Sequence, residues 1–331
     1  MFKLILRIAA FLESLIAFLV VLSATGAKTD VGVYTDTLDK SGIFVNCADS
    51  SLPQTALHDI VLDHFKAPLP AGKTVKKCLV VGFDGARADA LFNMVNGASG
   101  IQELAASGGV YQMYAGGKIP HLQSTVTAPG WTTLLTGVWA NGKGGHGVTA
   151  NGVTKAADAP PIVFTQLFDL EKVQKTAFIV SWGGHFTDAE ASYRNDMAYA
   201  ASKSYNALWL TQPDDRTNEN GLGTYERTLQ EVQDPAGADF TFCILEHCDH
   251  NGHGSGYGNW NPEYIAAFRA ADSEAFQLIQ AVKARATFGT EDWLILITSD
   301  HGGIGQGHGQ QFAVERQIFI ASNKELGVSV S

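Results

Sequence analysis

Three aspartates close apolar runs along this chain, and histidines crowd two of them. Asp84 follows "LVVGF", Asp249 follows "FCILEHC" and Asp300 follows "LILITS". His301 adjoins Asp300, and His308 follows within the same segment, "SDHGGIGQGHG". His247, His250 and His253 surround Asp249. One Asp at a strand end is usually a turn or cap residue, and one His in a glycine loop is usually solvated. Three carboxylates at one sheet edge are different, because they repel each other unless a positive charge lies between them. Carboxylate oxygens and imidazole nitrogens without thiolates suit zinc, manganese or a related divalent ion. There are enough such donors for two ions. The residues alone leave open whether His250 or His253 would serve. The five glycines of "SDHGGIGQGHG" would permit backbone angles that other residues resist and leave room beside the metals.

A hydroxyl completes the set. In "STVTAPGWTTLLTG" (124–137), Pro129 stands where a helix can begin. Thr127 would then lie at the helix N-terminus, among unpaired N–H groups and the positive dipole end. Alone, it reads as a cap. Beside a divalent ion, a hydroxyl loses its proton more easily and becomes a nucleophile.

These residues need elements that bring them together. "CLVVGFDG" (78–85), "KTAFIVSWGG" (175–184), "DFTFCILEHCD" (239–249), "DWLILITSD" (292–300) and "RQIFIAS" (316–322) read as strands. Their aliphatic runs do not alternate, as expected of strands buried on both faces. "ARADALFNMV", "PGWTTLLTGV", "GTYERTLQEVQ" and "PEYIAAFRAADSEAFQLIQAVKARA" read as helices between them. Alternating strands and helices predict an α/β fold with a mainly parallel central sheet flanked by helices. In such a sheet the carboxyl ends of the strands share one edge, where ligands bind. The stretch 140–160 is loop-like and would lie near that edge. His185 in "SWGGHFTD" ends another strand candidate, either facing substrate or solvated.

The N-terminal segment "MFKLILRIAAFLESLIAFLVVLSATGA" carries Lys3 and Arg7, then an apolar stretch from Leu15 to Leu22, then small residues. Residues 1–27 read as a signal peptide of an exported chain. Glu13 interrupts the run, so an uncleaved anchor associating with a membrane is the alternative. Residues 28–76 read as an extension, with one amphipathic helix in "ALHDIVLDHF", and a linker; residues 77–331 read as one catalytic domain. Four cysteines without a CxxC give no support for a zinc knuckle or thioredoxin motif; an exported chain would be able to pair them, while Cys78 and Cys243 read as buried thiols. A net charge of −10 argues against a nucleic-acid-binding surface. It does not exclude a small phosphate ester as substrate, since a bound metal dominates its local field.

"GFDGAR", "TAPGWTTLLTG", "HGVTAN", "DHNGHGSGYG" and "SDHGGIGQGHG", in this order, resemble the alkaline phosphatase superfamily. They are most similar to its type I phosphodiesterase/nucleotide pyrophosphatase branch, over roughly residues 77–323. The resemblance implies an alkaline-phosphatase-like three-layer sandwich with two zinc ions at the carboxyl edge. One ion would be held by Asp84, Thr127, Asp300 and His301, the other by Asp249, His253 and His308. The family spacing Asp-x-x-x-His selects His253 over His250. Thr127 would be the catalytic nucleophile, passing through a phosphothreonine. Asn151 matches a family position that hydrogen-bonds a phosphate oxygen, or is a plain loop asparagine.

Sulfatases of the superfamily carry cysteine at the position of Thr127 and arginine at that of Trp131, so sulfatase chemistry is not implied. Cleavage of phosphodiester or pyrophosphate bonds is. A phosphomonoesterase or a phosphonoacetate-hydrolase-like enzyme is the nearest alternative, and a degenerate binding module the non-enzymatic one. "TAPG" stands where nucleotide pyrophosphatases commonly show "TFPN", which leaves base recognition unsupported. The family's last ligand commonly lies far downstream; His308 follows Asp300 closely, as in some bacterial members. The chain ends soon after "FIAS", as a minimal or truncated member would.

Overall fold

Aliphatic runs that do not alternate need cover on both faces, and the central strands obtain it. In the computed structural model, which describes residues 31–94, 99–213 and 222–327, β2 (Val75–Phe83) sends Leu79, Val81 and Phe83 to one side. There they meet Phe268, Leu278 and Ile279 of the Pro262–Lys283 helix. Cys78 and Val80 go to the other side, with Val61 and Phe65 of the Ala56–Lys66 helix and Leu134 of the Thr127–Thr136 helix. β6 (Phe240–Leu245) and β7 (Glu291–Ser299) divide in the same way. The result is helix, sheet, helix: a three-layer sandwich with two cores. Burying each Leu, Val or Phe stabilises by roughly 1.5–3 kcal/mol, so both faces of a strand reward an all-aliphatic sequence.

The remaining strands are β1 (Leu52–Pro53), β3 (Gly109–Tyr114), β4 (Thr176–Val180), β5 (Ala207–Thr211) and β8 (Gln317–Ser322). All eight form one sheet in the order β1-β3-β8-β7-β2-β6-β4-β5. Only β8 runs against its neighbours, pairing antiparallel with β3 and β7; the other pairs are parallel. The arrangement that matters is central. β2 lies between β7 and β6, with Phe83 opposite both Ser299 and Leu245. Three parallel strands therefore end level with one another, and the segments after them carry Asp84, Asp300 and Asp249.

Some elements differ from the sequence reading. β6 stops at Leu245, and "HCDHNGHGS" is a helix, His247–Ser255, where the strand was expected to run on to Asp249. "ARADALFNMV" forms a short 3₁₀ segment, Ala88–Asn93, in place of an α-helix. At its N-cap the Arg87 guanidinium donates to both carboxylate oxygens of Asp89, at 2.9 and 2.7 Å. β1, β3 and β5 were not foreseen. Gln112 interrupts the apolar pattern of β3; it is buried and satisfied by Gln317 at 2.7 Å and Asp39 at 2.6 Å. All four cysteines are free thiols, and Cys78, Cys243 and Cys248 are buried. The segment read as a signal or anchor, residues 1–27, lies outside the described residues. Among the described residues, no helix is long and apolar enough to cross a membrane.

Candidate metal centre

Asp84 leaves β2 fully buried, with Oδ2 accepting from Trp131 Nε1 at 2.7 Å. Its Oδ1 lies 3.5 Å from Thr127 Oγ1 and 3.5 Å from His301 Nε2. Asp300 leaves β7 equally buried; its Oδ1 accepts from the backbone N–H of Gly85 at 3.2 Å and of His301 at 2.9 Å. Its other oxygen, Oδ2, has no hydrogen-bond partner and lies 3.4 Å from His301 Nε2, which has none either. His301 Nδ1 bonds to Gly302 O at 2.8 Å. A carbonyl only accepts, so Nδ1 carries the proton and Nε2 presents a bare lone pair to two carboxylates.

Asp249 does not sit at a strand end. It occupies the first turn of the His247–Ser255 helix, and His253 follows one turn later on the same face. This periodicity explains the Asp-x-x-x-His spacing and separates the two histidines that the sequence alone left open. His253 Nε2 lies 3.5 Å from Asp249 Oδ2 and 3.1 Å from His308 Nε2, and His308 Nε2 lies 3.5 Å from Asp249 Oδ1. His250 is exposed on another face. His247 turns away to Glu274, 3.3 Å distant. Both site histidines again bond backbone carbonyls through Nδ1: His253 to Gln306 O at 3.0 Å, His308 to Thr125 O at 2.9 Å. With Nδ1 protonated in each, two Nε2 lone pairs face each other.

Burial is the main cause that pushes the Asp84 carboxyl well above its ordinary range, and repulsion from Asp300, Glu246 and Asp249 adds to it. Burial, with Asp249 repulsion, raises Asp300 in the same direction. Burial lowers His301 far below its usual value, helped by His308, and lowers His308 as well. Unpartnered carboxylate oxygens and aligned imidazole lone pairs are what a divalent cation satisfies. Ligand atoms of Asp84, Asp300 and His301 lie within 4.8 Å of one another, as do those of Asp249, His301 and His308, and of Asp84, Glu246 and Asp249. The residues therefore fit divalent metal binding.

Thr127 is the first residue of its helix, and the cap position belongs to Val126, without a side-chain cap bond. The Thr127 hydroxyl is thus not a cap; it faces Asp84. Asn151 comes from the long loop after this helix and accepts from Ala128 N–H at 2.9 Å through Oδ1. That bond fixes the amide oxygen and leaves Nδ2 as the other end of the side chain. The loop is tied down by His146, which bonds Thr133 Oγ1 at 3.0 Å and accepts from Val148 N–H at 3.1 Å. Pro129 has no N–H and Ala128 N–H is taken, so these two helix-start positions do not offer donors to a phosphate, contrary to the simplest expectation for a helix N-terminus.

Gly305 and Gly309 of the glycine-rich segment hold positive φ, 58° and 109°, as expected, whereas Gly302 and Gly303 make room for protein. A Cβ on Gly303 would lie 2.4 Å from Tyr257 Cγ, and one on Gly302 would lie 2.1 Å from Val314 O. A Cβ on Gly252 would come within 2.3 Å of the same ring. The ring thus packs against both ligand-bearing segments. Gly305 forms an isolated β-bridge with Tyr257, whose N–H donates to Gly305 O at 2.7 Å, and Ile304 bridges Gly307. Gly303→Ala is expected to destabilise the fold by about 1–3 kcal/mol through overpacking, read as a lower urea midpoint at unchanged m. An unchanged midpoint would mean that the ring yields freely.

Other neighbours escaped the sequence reading. Glu246 lies one helical turn before Asp249, a spacing that would have flagged it had the helix been foreseen. Buried Gln54, from the N-terminal stretch, donates to Asp300 O at 2.6 Å. His185 neither faces a substrate nor meets solvent: it is fully buried, stacked on Tyr193 at 5.7 Å and 7°, and its burial pushes it down to about 3. Beside the cluster lies a cavity of about 320 Å³ lined by Ser181, Trp182, Gly183, Glu246, His250 and His253. Another cavity, about 480 Å³, lies at the opposite ends of β2 and β7 against Lys76 and Asp292 and contains no site residue.

Residues 78–307 match the family model described as type I phosphodiesterase / nucleotide pyrophosphatase. Murine ectonucleotide pyrophosphatase / phosphodiesterase 5 is similar at 18% identity and TM-score 0.47, over 69% of this chain and 57% of that one. A putative sulfatase from Bacteroides thetaiotaomicron is similar at 14% identity and TM-score 0.51, over 78% of this chain and 66% of that one, which bears on the fold. Alkaline phosphatase from the Antarctic bacterium TAB5 is similar at 12% identity and TM-score 0.44, over 76% of this chain and 91% of that one. The alignment thus spans little more than half the length of the murine protein. No curated protein matches the chain. The family match covers well over half of the sequence and contains Asp84, Thr127, Asn151, Asp249, His253, Asp300 and His301, with His308 one residue beyond it: the chain belongs to the type I phosphodiesterase / nucleotide pyrophosphatase family.

Proposed function

We propose that this chain is a metal-dependent hydrolase of phosphodiester or pyrophosphate bonds, with Thr127 as nucleophile and a small phosphate ester as substrate. The observation that carries this reading is the position of Thr127: a non-capping hydroxyl at a helix start, 3.5 Å from a buried ligand-type carboxylate. Asp84, Thr127, Asp300 and His301 would hold one divalent ion and Asp249, His253 and His308 a second, zinc suiting this donor set. Bound ions would lower the pKa of the hydroxyl and stabilise charge on the leaving oxygen. Thr127 Oγ1 attacks phosphorus in line with the leaving oxygen and forms a phosphothreonine, which water then hydrolyses. Asn151 Nδ2 holds a non-bridging oxygen of the phosphate. The export reading of the N-terminal segment agrees with a substrate met outside the cytoplasm.

The cavity beside His253 supports a diester over a monoester, since it gives a second ester substituent a place next to the cluster. The test is turnover of a chromogenic phosphate diester against the matching monoester, with and without added zinc. Zinc-dependent turnover favouring the diester is expected. A monoester preference would transfer the reading to a phosphomonoesterase. No turnover of either by a zinc-loaded chain would favour a binding module.

A further inference from the structure

Two aromatic side chains touch the ligand carboxylates, and neither is explained by the metal-binding motifs. The Trp131 Nε1–H donates to Asp84 Oδ2 at 2.7 Å. Its ring fills a notch in β2, where a Cβ on Gly82 would lie 2.4 Å from Trp131 Cη2. Phe242 of β6 closes the other side edge-on, 5.7 Å away at 87°. The indole has no room to swing, so Asp84 Oδ2 is committed to it. Oδ1 alone is left toward Thr127 and His301.

Asp249 is treated in the same way by a different element. The Tyr257 hydroxyl bonds Asp249 Oδ1 and, at 3.2 Å, the Asp249 carbonyl. Gly252 and Gly303 leave the slot that holds the ring. Oδ2 then faces His253, while Oδ1, besides accepting from Tyr257, also lies 3.5 Å from His308. In both cases a neutral donor locks a carboxylate without competing for its charge.

We infer that Trp131 and Tyr257 are positioning residues that act separately, Trp131 through Asp84 on one ion and Tyr257 through Asp249 on the other. This rests on the metal reading above. The effect follows from geometry: a carboxylate free to rotate must be ordered when the ion binds, whereas a locked one is already aimed.

The test measures zinc dissociation constants by competition with a chromogenic chelator, for the parent chain, Trp131→Phe, Tyr257→Phe and the double variant. The parent is expected to hold two ions. Each single variant should weaken one ion by about 10–100-fold and leave the other unchanged, and the double variant should weaken both. Unchanged constants in both single variants, or both weakening the same ion, would overturn the inference. A parent chain that binds no zinc would overturn the metal reading itself, a separate result. If Trp131→Phe melts early in the metal-free state, 3-benzothienylalanine at position 131 keeps the ring shape and removes only the N–H. Weakened binding there supports the inference, and unchanged binding overturns it.

Discussion

Thr127→Ala is expected to lower diester turnover by on the order of 10⁴-fold or more, the scale seen when a nucleophile is deleted, while metal uptake persists. The substitution removes one oxygen and one methyl from a side chain that makes no cap bond. Helix and loop should therefore survive, and the Asn151–Ala128 bond with them. In the proposed site, Asp84, Asp300 and His301 would remain for the ion that loses the hydroxyl. Turnover, zinc content and circular dichroism measured together separate chemistry from folding. Full activity in a folded, zinc-loaded alanine variant would remove Thr127 from the mechanism. A variant that loses activity together with its zinc would reduce it to a ligand.

Asp300→Asn should drop tightly held zinc from two ions per chain to one, and should also change how the metal-free chain responds to pH. Burial holds the Asp300 carboxyl well above its ordinary value of 3.8 in the folded chain. Between 3.8 and that raised value, the folded chain keeps a proton that the unfolded chain has shed. Stability of the metal-free parent therefore falls as pH rises through this window. The asparagine variant lacks that loss, so without metal it should melt above the parent near neutral pH. The advantage should shrink as pH falls toward 4. Asp300 also helps raise Asp84, so the substitution relieves that carboxyl as well and adds to the variant's advantage; His301 and His308, lowered mainly by burial, are present in both chains. Thermal melts of both chains in chelator across pH decide this. A parent that equals or exceeds the variant at neutral pH would mean that Asp300 is not held near neutrality. Zinc remaining at two per chain in the variant would remove Asp300 from the ligand set.

The sequence reading found the parts of the site that hang from central strands. Asp84 and Asp300 could be placed because aliphatic runs mark β2 and β7 plainly and each aspartate follows at once. Asp249 was placed near the correct edge for an incomplete reason. "EHCDHNGHGS" has few apolar residues, so its helix gives no periodic signal, and the strand was carried too far. The same silence hid Glu246. The roles of Trp131 and Tyr257 beside Asp84 and Asp249 gave no sequence signal, because a hydrogen bond from an indole or phenol depends on tertiary placement. β1, β3 and β5 are short, near an edge or broken by a polar residue, where packing against neighbours decides strand formation more than sequence does. Gln54 was out of reach for that reason, since it belongs to the residues just after β1.

The strand order has a consequence for synthesis. β2 leaves the ribosome well before either of its eventual neighbours: β6 begins at Phe240 and β7 at Glu291. Until they arrive, an apolar strand stands with two open edges, the condition that invites mispairing and aggregation. Pairings at such long range are also slow to form. Asp84 thus waits without Asp249 or Asp300 until those strands are made, and in the proposed metal site ion uptake would follow completion of the sheet.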